Sequence, residues 1–416
     1  MRKTRVLSLL LALSLLFVLV PPLSGCRHKI VATDLMAGIT PRENGEPATV
    51  PDDGAAFAVD FAARLFRTTY DGKNTLLSPL SALVALAMTA NGAAGETRAQ
   101  MESALGMTVG ELNAFFAAYL ASLKKDDGVT LAVADSIWLR DDPRFSVKED
   151  FLQINADVYR AGAFRAPFDK TTVKDVNQWV KDHTDGLIDS ILDDLRDDDL
   201  ALLVNALLFD GKWASPYERD TQKSSGLFHK EDGTDATVTF LSSGEYRYLS
   251  DGDRAVGFIK PYVGGRYAFA ALLPAEGTSL ADYVATLSGE RITEILTGAE
   301  NVAVKAELPK FKTRFETDLK DALSSMGITD AFLLEKADFS GISETTPLYI
   351  GEVRHKTFIE VGEKGTRAGA VTAVKGKTNS APPELKVVLD RPFVYILFDT
   401  TTNIPLFIGA LNDPNG

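Results

Sequence analysis

Cysteine is nearly absent from this 416-residue chain: there is one, Cys26. A single thiol rules out an internal disulfide and any metal site built from several cysteines. Stability must therefore come from packing. Histidine is also scarce, with His28, His183, His229 and His355 only. They form no His-Glu-x-x-His pair, and the chain has no Gly-x-Ser-x-Gly elbow, no phosphate loop and no dinucleotide fingerprint. Ser122-Leu-Lys-Lys125 has the Ser-x-x-Lys spacing. It stands on a polar helix end and lacks the Lys-Thr-Gly and Ser-Asp-Asn segments that accompany a nucleophilic serine. The acid clusters Asp193-Asp194 and Asp197-Asp198-Asp199 lack the Gly and Glu spacing of a calcium loop and read as a solvated acidic loop. The recognisable machinery of an enzyme is missing, and no cofactor is implied.

What is present is ordinary globular composition, 45% apolar and 24% charged, on a chain long enough for one large core. The first 25 residues stand apart. Met1-Arg-Lys-Thr-Arg5 is a basic head and Val6 to Val20 an apolar run, the pattern of a secretory signal peptide, too short for a firm membrane span. It ends in Leu23-Ser24-Gly25-Cys26, which resembles the lipobox of bacterial lipoproteins. The expectation is a lipid on Cys26 and an extracytoplasmic protein anchored to the membrane. The formal charge is −13, and removing Arg2, Lys3 and Arg5 takes it to −16 (−13 − 3). Such a surface repels nucleic acid and anionic lipid.

Residues 26–54 lack periodicity and hold Pro41, Gly45, Pro47, Pro51 and Gly54, so a flexible tether is expected. Phe57, Phe61 and Leu65 then give a helix face behind Asp52-Asp53 as caps. Helical patterns run to about residue 125. Val129 to Leu139 and Leu200 to Phe209 read as strands, Val173 to Leu192 mostly as helix, and short strands dominate from Gly226 to Leu273. Two apolar runs, Phe393 to Phe398 and Pro405 to Leu411, close the chain. With no composition break and no internal repeat, residues 55–416 read as one mixed α+β domain.

The stretch Glu363 to Asn379 is unlike the rest. Thr366, Ala368, Ala370, Thr372, Val374, Gly376 and Thr378 are small or uncharged, whereas the charges Arg367, Lys375 and Lys377 have the opposite parity. Alternate side chains of a strand point to opposite faces, so one face could be buried and the other kept wet. Yet the segment is rich in small residues and is followed by Pro382-Pro383. It reads as an exposed loop that carries a strand's pattern. Gly365 beside Thr366 offers a pivot.

Several separated motifs together resemble the serpin family. Asn74-Thr-Leu-Leu-Ser-Pro-Leu-Ser81 with Gly92-Ala-Ala-Gly-Glu-Thr97 resembles its buried second helix. Asn177-Gln-Trp-Val180 with Thr184 and Gly186 resembles the helix over the main sheet, and Asn205-Ala-Leu-Leu-Phe-Asp-Gly-Lys-Trp213 the central strand leading to the top of that sheet. Leu308-Pro-Lys-Phe311, Ala337-Asp-Phe-Ser-Gly341, Val353-Arg-His-Lys356, Asp390-Arg-Pro-Phe393 and Leu406-Phe-Ile-Gly409 follow in order. The match spans about 55 to 414. It departs at Leu207-Leu208, where an aromatic is common.

The resemblance implies a serpin fold with three β-sheets, about nine helices and an exposed reactive-centre loop over about 363–383. It implies a monomer whose partner is a serine, or cysteine, endopeptidase. The protease cuts the loop, is held as an acyl-enzyme, and is trapped when the loop enters the main sheet. The implied hinge comprises Glu363, Gly365, Thr366, Ala368, Gly369 and Ala370. Family spacing from Glu363 places the cut at Asn379-Ser380; Lys377-Thr378 is the alternative, since trypsin-like enzymes prefer lysine and a shift of two keeps the parity. Ser78, Ser81, Asn205 and His355 match the polar cluster that controls sheet opening, and Trp213 the position where insertion starts. The resemblance implies that the polar cluster controls opening through hydrogen bonds that must rearrange.

Overall fold

The computed structural model describes residues 28–42, 50–123, 128–143, 146–186, 188–196, 199–343, 348–366 and 385–416. Among them lie nine α-helices and three β-sheets. The helices are α1 (Asp52–Thr69), α2 (Pro79–Ala90), α3 (Gly95–Leu105), α4 (Val109–Ser122), α5 (Glu149–Ile154), α6 (Lys170–His183), α7 (Leu280–Thr286), α8 (Gly289–Thr297) and α9 (Lys320–Ser325).

The main sheet has seven strands in the order β1 (Thr33–Asp34), β4 (Gly162–Ala166), β3 (Val129–Arg140), β5 (Ala201–Lys212), β14 (Gly365–Thr366), β13 (Glu352–Val361) and β12 (Phe311–Asp318). A six-stranded sheet runs β2 (Thr75–Leu77), β17 (Pro405–Leu411), β16 (Phe393–Asp399), β10 (Tyr267–Pro274), β9 (Ala255–Pro261), β8 (Tyr248–Ser250). The third sheet runs β15 (Leu385–Val388), β11 (Val304–Pro309), β7 (Asp235–Glu245), β6 (Lys223–His229).

Burial explains the sequence patterns. All residues of α2 are buried, so it is apolar all round, and Pro79 opens it at a position where no intrahelical N–H is needed. The two closing apolar runs are β16 and β17, buried along their whole length. A large core fills the space between the main sheet, the six-stranded sheet and α1, α2 and α4. A smaller one, with Trp138, Phe164, Val176, Trp179, Leu202, Val204 and Ala206, lies between α6 and the outer face of the main sheet. β5 is thus covered on both faces, which is why it reads as an unbroken apolar strand.

Three expectations need correction. Helix over 173–192 ends early: α6 stops at His183, and Asp185 and Gly186 follow with φ of +49° and +74°. Ile188, Ile191 and Leu192 still pack with Trp179, so their apolar spacing reflects a return chain under the helix. Residues 28–42, expected within a flexible tether over 26–54, lie fixed along the sheet's outer edge. β1 pairs antiparallel with β4, Thr33 opposite Arg165. The buried Asp175 carboxylate on α6 receives His28 Nε2 at 2.5 Å and the N–H groups of Val31 and Ala32 at 3.1 and 2.7 Å. Arg42 closes the strap on Asp157 through two guanidinium contacts of 2.6 and 2.8 Å. Asp52-Asp53 do not precede the helix as caps either: α1 begins at Asp52, and Pro51 is its N-cap.

Candidate functional site

β5 and β13 are parallel neighbours in their lower halves only. Leu202 to Asn205 pair with Glu352 to His355. Above Asn205 and His355, no ladder among the described residues joins 206–210 to 356–360. At the top the gap is filled by two residues, Gly365 and Thr366, antiparallel to both neighbours: Thr366 stands opposite Gly211 on β5 and Val361 on β13. The partner numbers differ by 150 in both places, 355 against 205 and 361 against 211. The two strands hold one register whether they touch directly or through β14.

The grip on this hinge is tight. A Cβ at Gly365 would lie 2.0 Å from the Gly211 carbonyl oxygen, so only glycine fits. Thr366 is buried, and its hydroxyl is hydrogen-bonded to that of Tyr262. Trp213 lies flat on the Tyr262 ring at 4.5 Å. Its indole N–H donates to Gly362 O at 2.9 Å and its backbone N–H to Lys364 O at 2.9 Å. Tyr217 N–H donates to Glu363 O at 2.8 Å. Burial opposes the charge on Glu363, but the Lys310 ammonium at 2.9 Å outweighs it and holds the carboxyl below its usual range. Under Trp213 and Tyr217 sits a buried Lys260, paired with Glu245 at 2.7 Å.

The second half of the site lies where the lower pairing begins. His355, on β13, is buried, and its Nε2 accepts the Ser78 backbone N–H at 3.1 Å. The neutral ring therefore carries its proton on Nδ1. Burial pushes the imidazole down to about 4. Opposite it, Asn205 donates from Nδ2 to Asp135 at 2.7 Å. Burial pushes the Asp135 carboxyl well up. Four atoms of this cluster, Ser78 Oγ, Ser81 Oγ, Asn205 Oδ1 and His355 Nδ1, are buried without a hydrogen-bond partner among the described residues. Ser78 is the N-cap residue of α2, yet its hydroxyl caps nothing. Each such orphan costs about 1–3 kcal/mol.

The structure therefore brings Ser78, Ser81, Asn205 and His355 together at mid-sheet, and Trp213, Glu363, Gly365 and Thr366 at its top. Asp135, Tyr262 and Lys310 belong to the same two groups and were not picked out from the sequence. Asp135 had left a trace: a lone carboxylate inside an apolar strand pattern, at a position that pairs with Asn205. Ala368, Gly369, Ala370, Lys377, Thr378, Asn379, Ser380 and Cys26 lie outside the described residues.

Residues 54–414 match the family model described as Serpin (serine protease inhibitor). A serpin-like protein from Thermococcus kodakarensis is 31% identical over 83% of this chain and 82% of its own length. Among solved structures, the thermophilic serpin tengpin in its native state is 41% identical and superposes with a TM-score of 0.87, covering 92% of this chain and 99% of that one. Tengpin in its latent state is 40% identical and superposes less well, with a TM-score of 0.76 over 90% of this chain and 100% of that one.

Proposed function

The chain belongs to the serpin family, and on that footing we propose that it inhibits a serine endopeptidase by taking its own cut loop into the main sheet. Serpins are mostly protease inhibitors, and some members are non-inhibitory. The observation that carries the inhibitory reading here is the seated hinge above a closed lower sheet, in one continuous register. Loop insertion in this family is itself a standing example of strand addition to a sheet.

The register says what insertion would do. Continuing antiparallel from Thr366, residue 368 falls between Phe209 and Ile359, residue 370 between Leu207 and Thr357, and residue 372 between Asn205 and His355. All have the parity of the buried Thr366, so Ala368, Ala370 and Thr372 turn inward while Arg367 stays out. Thr372 would carry a hydroxyl into the cluster of orphaned polar atoms. β5 and β13 must part by one strand spacing, about 4.8 Å, with no slip along their length. The native sheet is thus left short of a strand and short of hydrogen bonds, and the loop supplies both. The target's own nucleophile does the chemistry, as an ester to the loop that hydrolyses unless insertion comes first.

The cut is placed at Asn379-Ser380, with Lys377-Thr378 as the alternative, and Cys26 is the proposed lipid anchor. Incubation with a panel of serine and cysteine proteases, followed by a denaturing gel, tests the reading. A covalent complex that survives denaturation is expected with at least one protease. Cleavage of the loop by every protease, with no complex, would leave a substrate or carrier protein. The mass of the released C-terminal peptide separates a cut after Asn379 from one after Lys377.

A further inference from the structure

The docked strap changes what an anchor at Cys26 would mean. With 26–50 free, the 25 residues from Cys26 to Val50 could stretch to roughly 80 Å, and the body would float away from the bilayer. The strap removes that slack. His28 is held on the buried Asp175 at 2.5 Å, and Val31 and Ala32 are held on the same carboxylate. Leu35 N–H donates to Ala163 O at 2.8 Å, and Arg42 N–H to Asp157 at 2.7 Å, so the strap is fixed along its length. One residue, Arg27, stands between Cys26 and His28, so two Cα–Cα steps let the anchor lie no more than about 7 Å from His28.

The surface at this point carries an exposed apolar side chain and three lysines, with the exposed Asp34 and Asp169 on the same two elements. Val31 is 64% exposed, more than Tyr246, Leu334, Leu227 or the other exposed large apolar residues among those described. It projects from the strap beside the exposed Lys29, and Lys170 and Lys174, also exposed, stand one turn apart on α6, the helix that holds His28. A protruding apolar side chain among lysines, on an otherwise acidic protein, matches an interface with anionic headgroups.

We infer that the α6 and β1 side of the body is a membrane-apposed face, held flat on the lipid by the strap, with Val31 at the headgroups and Lys29, Lys170 and Lys174 around it. This rests on the proposed lipid at Cys26. The body then lies on the bilayer by the edge of its main sheet, and a target protease meets it from the side.

The full lipidated protein, reconstituted in vesicles of phosphatidylglycerol and phosphatidylcholine, tests this. Once Cys26 carries its lipid, an introduced cysteine is the one free thiol in the chain. A bimane label is placed by Lys174→Cys on α6 or by Glu276→Cys in the turn after β10, and headgroup-bound quenchers are added in the lipid. The Lys174→Cys label should lose most of its emission and the Glu276→Cys label little. In an Asp175→Asn background the His28 end of the strap, next to the anchor, loses its carboxylate, and the Lys174→Cys loss should fall while the protein still sediments with vesicles. Equal quenching at both sites, or none at Lys174→Cys in sedimenting protein, overturns the apposed face and leaves the anchor standing. A mature protein without lipid, seen by mass spectrometry, overturns both.

Discussion

Thr366 sets the parity of the loop. It is buried against Tyr262, and in the proposed inserted strand every second residue after it shares its face. Thr366→Arg would place an unpaired charge under the sheet at a cost of about 3–5 kcal/mol, so the hinge should leave its seat. The expected result is a variant that is still cleaved but forms little complex, read as a many-fold rise in inhibitor consumed per protease. An unchanged stoichiometry would mean that this parity does not turn inward. His355 gives a test by pH. Its imidazole, held down to about 4 by burial, is neutral in the folded protein and takes a proton readily when unfolded. The unfolded chain then binds more protons between pH about 6.5 and 4, so the contribution of His355 is whole above that window and lost as pH falls through it. The full loss is about 3 kcal/mol. Asp135, pushed up, runs the other way, its contribution fading as pH rises. The difference between wild type and His355→Gln isolates the histidine: urea midpoints of the variant should depend less on pH between 6.5 and 4. The four polar residues at mid-sheet were legible because each stands inside an ordered motif. Tyr262 and Lys310 were not, since nothing in a local pattern says that a distant chain segment will land on them.

At the scale of elements, the gap between 206–210 and 356–360 is the working part. β5 and β13 keep one register above and below it, so a strand can enter without moving either along its axis. Amide exchange should report this. After the loop is cut, the amides of 206–210 and 356–360 that face the gap should become strongly protected, while those facing β3 and β12 change little. No gain in protection would mean that the cut loop stays outside. The strands β16 and β17 were legible because full burial writes itself as a continuous apolar run. The end of α6 was not, because the return chain under it carries apolar residues that imitate one more turn. The strap was hidden for a different reason. Its docking rests on backbone pairing and on one buried carboxylate, and its apolar residues Ile30, Ala32, Leu35, Met36 and Ile39 follow no period.

At the scale of the whole molecule, the main sheet has a gap between 206–210 and 356–360, with four buried polar atoms of the mid-sheet cluster beneath it that find no partner among the described residues. The chain superposes better on native tengpin, with a TM-score of 0.87, than on latent tengpin, with 0.76. On the proposed mechanism such a molecule is not at its most stable arrangement, and a cut in the loop lets it reach a better one. The three sheets and nine helices were implied by motif order over the full length, whereas the seated hinge and the strap needed coordinates. The most direct measurement is thermal unfolding of the intact protein beside the same protein cut once in the loop. Completing the sheet should add several kcal/mol and raise the midpoint by roughly 10 °C or more. Equal midpoints for the two forms would contradict the account.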